Sequence, residues 1–108
     1  MKRGELWTVA GGGDFLSKPR PALIIQSDAH QADHSVVIVP LTSDLNLGPA
    51  LRPIVRPQHG NGLRFDSEIM VDQTTTVRPQ RMGRYVGVLS EDDLGEVSQA
   101  IREFLDLD

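Results

Sequence analysis

The stretch Lys18-Pro19-Arg20-Pro21-Ala22-Leu23-Ile24-Ile25 limits what this chain can fold into more than any other. Its four consecutive apolar residues, two of them adjacent isoleucines, are too few for a buried helix and fit a central β-strand. Pro21 has no N–H to give to a ladder, so it suits the first residue of that strand and no interior position. Proline also drives the residue before it out of the helical region, which leaves Lys18 and Arg20 extended. Arg20 is thereby a cation presented rigidly at the mouth of a core strand, just after a glycine-rich loop. From such a position a fold offers a binding or catalytic group.

With that strand placed, the rest of the chain reads as its neighbours. Glu5-Leu6-Trp7-Thr8-Val9-Ala10 alternates, predicting a first strand with Leu6, Thr8 and Ala10 on one face and Trp7 and Val9 on the other. Gly11-Gly12-Gly13 ends it, and residues 11–19 form a mobile connection and a candidate gate over a binding site. A phosphate-cradling P-loop would need a lysine and a hydroxyl residue opening a helix, whereas here a strand follows. Residues 35–41 are rich in β-branched side chains and predict a third strand buried on both faces. It delivers Thr42 and Ser43 at its end. Residues 51–56 are broken by Pro53 and suit an edge strand. Residues 67–72, an extended run through Val77, and residues 84–89 supply the remaining strands.

One helix is expected, at the C-terminus. Ser90 is a good N-cap, Asp93 takes the capping-box position, and Leu89 with Leu94 makes a hydrophobic staple. Leu94, Val97, Ile101, Phe104 and Leu105 form one apolar stripe at helical spacing. Five to seven short strands followed by a helix predict a mainly β fold, a small, strongly bent antiparallel barrel, as one domain over residues 1–108.

Composition narrows the chemistry. The chain has no cysteine, which excludes thiol catalysis and cysteine-bound metal and fits a cytoplasmic protein. No apolar segment suggests a secretory signal or a membrane partner. The net charge of −4 is unevenly spread. Residues 90–108 hold seven acids and one base, while the preceding 89 residues carry a net +2. Nine of the eleven basic residues are arginines, whose planar fork of donors suits phosphate. Charge therefore permits an anionic partner without demanding one.

His30 and His34 are four apart, but the segment lies between strands and no third ligand is nearby, so it reads as a solvated loop. Ser-His-Asp hydrolysis has no support, for no serine sits in a glycine-flanked nucleophile turn. What remains is Arg20, Thr42, Ser43, Asp72 and Gln73, each at the start or end of an expected strand. Singly, each is accounted for as a turn or cap residue. Together they offer a guanidinium, hydroxyl donors, a carboxylate and an amide, a set able to hold and cleave a phosphodiester without metal.

Several segments carry a family resemblance in order. They are Arg3-Gly4-Glu5-Leu6-Trp7, Arg20-Pro21-Ala22-Leu23-Ile24-Ile25-Gln26-Ser27-Asp28, Val39-Pro40-Leu41-Thr42-Ser43, Gly62-Leu63 and Ser67-Glu68-Ile69-Met70-Val71-Asp72-Gln73-Thr74-Thr75-Thr76-Val77. In these the chain resembles the MazF/PemK toxins of bacterial toxin–antitoxin pairs over essentially its whole length. The resemblance implies an SH3-like barrel with a C-terminal helix, a homodimer, and a metal-independent, sequence-specific endoribonuclease that needs no cofactor. It implies single-stranded RNA as substrate and an inhibitory antitoxin as partner. Arg20 falls on the catalytic arginine, Thr42 on the active-site hydroxyl, and Asp72 on an acid taken as general base. Lys18, Ser43 and Gln73 are the implied substrate contacts. The implied reaction is attack of the 2′-hydroxyl on the adjacent phosphorus, leaving a 2′,3′-cyclic phosphate and a 5′-hydroxyl.

Two departures stand out. Residues 11–18 lack the Glu-Gln pair that many relatives carry in this loop, and Met70 stands where some relatives have an arginine as general acid. A methionine cannot donate that proton. Two rival readings are a non-catalytic, gyrase-binding toxin of the CcdB type and an inactive barrel that only binds a protein. The CcdB type ends in Trp-Gly-Ile, unlike Phe104-Leu105-Asp106-Leu107-Asp108 here.

Overall fold

A computed structural model describes residues 1–10, 19–30 and 34–108. Among these the chain forms β1 (Glu5–Val9), β2 (Arg20–Ile24), β3 (Val36–Thr42), β4 (Ile54–Val55), β5 (Ser67–Ile69), β6 (Thr75–Val77), β7 (Met82–Val88) and the helix α1 (Glu91–Phe104). The strands build one curled antiparallel sheet in the order β4-β5-β3-β2-β1-β7, with β6 also paired to β3. The fold is mainly β with a C-terminal helix, as expected. The expected central strand is β2, flanked by β1 and β3.

Both prolines of the central strands sit where the ladder can spare an N–H. Pro21 is the second residue of β2 rather than the first. It pairs with Thr8, while the β2–β3 register starts only at Ala22. Pro40 lies inside β3, which runs on to Thr42. β3 pairs with β6 through Val36, Val37 and Ile38 and with β5 through Leu41 and Thr42, so Pro40 falls between the two ladders. Its carbonyl accepts the Met70 N–H at 2.9 Å.

β1 keeps the expected alternation, with Leu6 on one face and Trp7 and Val9 on the other. Its pairing with β7 shifts register between Leu6 and Trp7 and again before Val9, and both Leu6 and Val9 are buried. The extra residues fall on β7, which leaves the alternation of β1 intact. Leu6 joins a core of Leu23, Ile25, Val39, Leu41, Ile69 and Val71. Val9 joins a second cluster with Ala22, Ile24, Val36, Ile38 and Val77. β3 contributes to both, as its composition predicted.

The helix closes over the first cluster. The Ser90 hydroxyl accepts the Asp93 N–H at 3.1 Å, the expected cap. Val97 is fully buried, and Leu94 and Ile101 pack beside it. The stripe is buried for only part of its predicted length. Phe104 is 47% exposed and Leu105 54%, because neither core cluster extends beneath the last turn. The Arg3 guanidinium fastens the helix to the sheet, donating to the Ile25 carbonyl and to the Ser98 hydroxyl. Among the described residues no helix is long and apolar enough to cross a membrane.

Candidate active site

Strand register brings the two leading residues together. Ala22 pairs with Pro40 across β2 and β3. Just beyond that last pair, Arg20 at the start of β2 and Thr42 at the end of β3 line the same two grooves. Residues far apart in sequence thus meet because two core strands end side by side.

Arg20 and Thr42 stand where two grooves join. The first holds about 670 Å³ and has an apolar floor of Val9, Ala22, Ile38 and Val77. Thr75, Thr76, Gln73 and Arg81 also line it. The second, about 460 Å³, is lined by Ser43, Leu63, Arg64 and Phe65. Arg20, Pro21, Leu41, Thr42 and Asp44 belong to both. Arg20 is exposed and Thr42 nearly buried. Thr42 Oγ1 accepts the Asp44 N–H at 3.1 Å, which leaves its own proton free to give to a ligand oxygen.

Asp72 is placed differently. It lies in the 3-10 turn Val71–Gln73 and lines neither groove. Arg52 grips it with two bonds, Nε to Oδ1 at 2.8 Å and Nη2 to Oδ2 at 3.0 Å. That charge-assisted fork holds the carboxyl down at about 2, with a further bond from Gln73 acting in the same direction. The same guanidinium reaches Glu68 Oε1 at 3.2 Å. Glu68 is completely buried in β5 and accepts the N–H groups of Gly48 at 2.9 Å and Leu47 at 3.1 Å. Burial opposes its charge, but those amides and Arg52 outweigh it and keep its pKa below the ordinary value. Arg52 is raised above its own, chiefly by the bond to Asp72.

This cluster joins the 47–52 segment, strand β5 and the turn after it. Gln73 Nε2 donates to Asp72 Oδ2 at 3.2 Å, so the amide oxygen is left as the free acceptor of a side chain that lines the first groove. Met70 lines the same groove.

Of the residues expected from sequence, Arg20, Thr42 and Gln73 share the first groove, and Arg20, Thr42 and Ser43 the second. Asp72 stands apart from both. Lys18 and most of the 11–19 connection lie outside the described residues. His30 ends a short 3-10 turn and, like His34, is exposed. Among the described residues no three His, Asp or Glu side chains gather as metal ligands would. Sequence reasoning passed over Arg52, Asp44 and Arg81. The available hint was Glu68, a charge in a strand otherwise fit for burial, which demands a cationic partner.

Comparison with known proteins agrees with the fold. The family model described as PemK-like, MazF-like toxin of type II toxin–antitoxin system matches residues 2–105. A probable endoribonuclease MazF from Mycolicibacterium smegmatis is 39% identical over 105 residues, covering 97% of this chain and 96% of that protein. The solved Mycobacterium tuberculosis toxin MazF-mt6 superposes with a TM-score of 0.78 at 26% identity, covering 96% of this chain and 98% of that one. A mycobacterial endoribonuclease solved in complex with its cognate antitoxin shares the fold at a TM-score of 0.74 and 20% identity, covering 100% and 95%.

Proposed function

The chain belongs to the PemK-like, MazF-like toxins of type II toxin–antitoxin systems, and from that premise we propose that it is an endoribonuclease that cuts single-stranded RNA at specific sequences. The observation that carries the reading is the meeting of Arg20 and Thr42 at the junction of two continuous grooves. An extended strand of RNA threading both grooves sets one phosphate at that junction.

The Arg20 fork then binds two phosphoryl oxygens and stabilises the charge that grows on them as the 2′-oxygen attacks phosphorus. Thr42 donates its hydroxyl proton to one of those oxygens. Asp72 is reassigned from base to scaffold. A carboxylate held at about 2 by Arg52 and turned away from both grooves is a poor proton acceptor near neutral pH. Among the described residues Asp44 is the one carboxylate that lines either groove, and it takes the 2′-hydroxyl proton. With Met70 in the groove where some relatives have an arginine, solvent protonates the departing 5′-oxygen. The products are a 2′,3′-cyclic phosphate and a 5′-hydroxyl, formed without metal or cofactor.

The protein acts as a cytoplasmic homodimer of one-domain chains, restrained by a cognate antitoxin of the kind bound to the mycobacterial structure. The nuclease reading is favoured over a gyrase-binding or inactive barrel because the relative sharing 39% of its residues is named a probable endoribonuclease.

The decisive experiment incubates purified protein with long single-stranded RNA in EDTA and maps cut sites and end groups. Cleavage is expected to persist, and Arg20→Ala to lose at least about 10²-fold in rate, the scale of deleting one transition-state donor. Arg20→Lys restores little, since a point charge cannot replace the fork. Asp44→Asn lowers kcat by more than Asp72→Asn does. Full activity in Arg20→Ala, or its loss in EDTA, refutes the reading.

A further inference from the structure

Phe65 is 67% exposed, yet the loop that carries it is fastened from several directions. The buried Asn61 side chain accepts the N–H groups of Gln58 at 3.2 Å and Leu63 at 3.0 Å, and donates to the Arg56 carbonyl at 2.9 Å. Gly62 has φ +71 and lies so close to β7 that a Cβ built on it would come 2.2 Å from the Val86 carbonyl oxygen. The Ser67 hydroxyl donates to the carbonyl of Phe65 itself at 3.0 Å. The chain therefore holds a large aromatic ring largely in water on a backbone with little freedom to withdraw it. Covering such a ring gains free energy, and a pre-ordered platform loses little entropy when it is covered.

What covers it is indicated by the groove that Phe65 lines. That groove contains Arg64 and Ser43 and is continuous with the first groove through Arg20 and Thr42. Aromatic faces flanked by arginines along a groove are how single-stranded nucleic acids are held without pairing. We infer that the second groove is a nucleobase subsite, in which Phe65 stacks on the base of the nucleotide adjoining the scissile phosphate. Arg64 takes the next phosphate, and the Ser43 hydroxyl bonds to the edge of the stacked base. This rests on the endoribonuclease reading and gives its specificity a location.

The test uses a short single-stranded RNA bearing one cut site, chosen from sites mapped on a long RNA. A second set replaces one base at a time near the cut with an abasic residue. For the full chain, Phe65→Ala is expected to raise KM about 5- to 150-fold, the range measured for removing one base–aromatic stack, with kcat nearly unchanged. Phe65→Tyr keeps the face of the ring and restores KM. At one abasic position the wild-type protein suffers the same rise in KM, and Phe65→Ala adds nothing to it.

An unchanged KM in Phe65→Ala overturns the subsite while leaving the nuclease reading intact. A change of oligomeric state alongside that unchanged KM assigns the ring to a protein partner instead. A wild-type protein that neither cuts nor binds RNA removes the nuclease reading and the subsite with it.

Discussion

Arg52 shows how one side chain can decide the role of another. Its guanidinium spans two carboxylates, one fully buried, and each depends on it for charge balance. Removing one partner of such a group leaves an uncompensated buried charge, which costs roughly 3–5 kcal/mol. Arg52→Leu is expected to lose stability on that scale in urea denaturation, and Glu68→Gln together with Asp72→Asn in the same background to recover part of it. The link to pH has a definite sign. Asp72 titrates at about 2 in the fold and near 3.9 in an unfolded chain. Its contribution is complete above the unfolded value and fades as pH falls from about 4 through about 2. The stability advantage of wild type over Asp72→Asn should therefore be constant near neutrality and shrink across that acid window. An advantage that grew on acidification would contradict the ion pair. None of this was legible in sequence, where Arg52 sat in an apparent edge strand and Asp72 at the end of a strand. The pairing spans 20 residues and exists only because the 3-10 turn after β5 swings Asp72 back over the 47–52 segment.

At the level of elements, legibility followed the locality of the physics. β2 and β3 were readable because runs of β-branched residues broken by proline state their own conformation. The helix start was readable because the cap and first turn are set within four residues. Ser90→Ala is accordingly expected to cost about 1 kcal/mol by thermal or urea denaturation. Ser90→Asp should cost much less, because an aspartate also caps well. An equal loss in both variants would deny the cap its role. β1 was readable too, since its alternation put Leu6 on one face and Trp7 and Val9 on the other; the register shifts lie on β7, and one strand carries no record of what its neighbour does. The end of the helix was overcounted for a related reason. Helical spacing makes a stripe of Phe104 and Leu105, but burial needs sheet beneath them, and the core stops short. The Arg3-Gly4-Glu5 opening, distinctive as a motif, proves to be fastening. Arg3 ties the helix to Ile25, just after β2, and Glu5 accepts the Lys2 N–H at 2.9 Å and the Trp7 indole N–H at 3.0 Å.

On the scale of the whole molecule the uneven charge acquires a geometry. The helix and tail hold a net −6, and among the described residues no residue of α1 lines either groove. The helix instead packs behind the sheet, against the Val71–Gln73 turn. Arg20, Arg64 and Arg81 line the grooves, whereas Arg56 and Arg84 line neither. An enzyme for an anionic polymer gains from such separation, because cations along a cleft raise the local concentration of substrate while acids at the cleft would lower it. Each phosphate contact releases condensed counterions, so binding to a single strand weakens with salt at a slope of about −0.7 per contact. RNA binding by Arg20→Ala, measured across a salt series, provides the reference slope. Adding Arg64→Ala should flatten it by about 0.7, while Arg84→Ala should leave it nearly unchanged. Reversing helix charges with Glu96→Lys and Glu103→Lys should shift affinity weakly and uniformly, since screening falls within about 10 Å at ordinary ionic strength. If those reversals steepened the slope more than loss of Arg64 flattened it, the polymer would be running along the helix, and the grooves at Arg20 and Thr42 would not be its path.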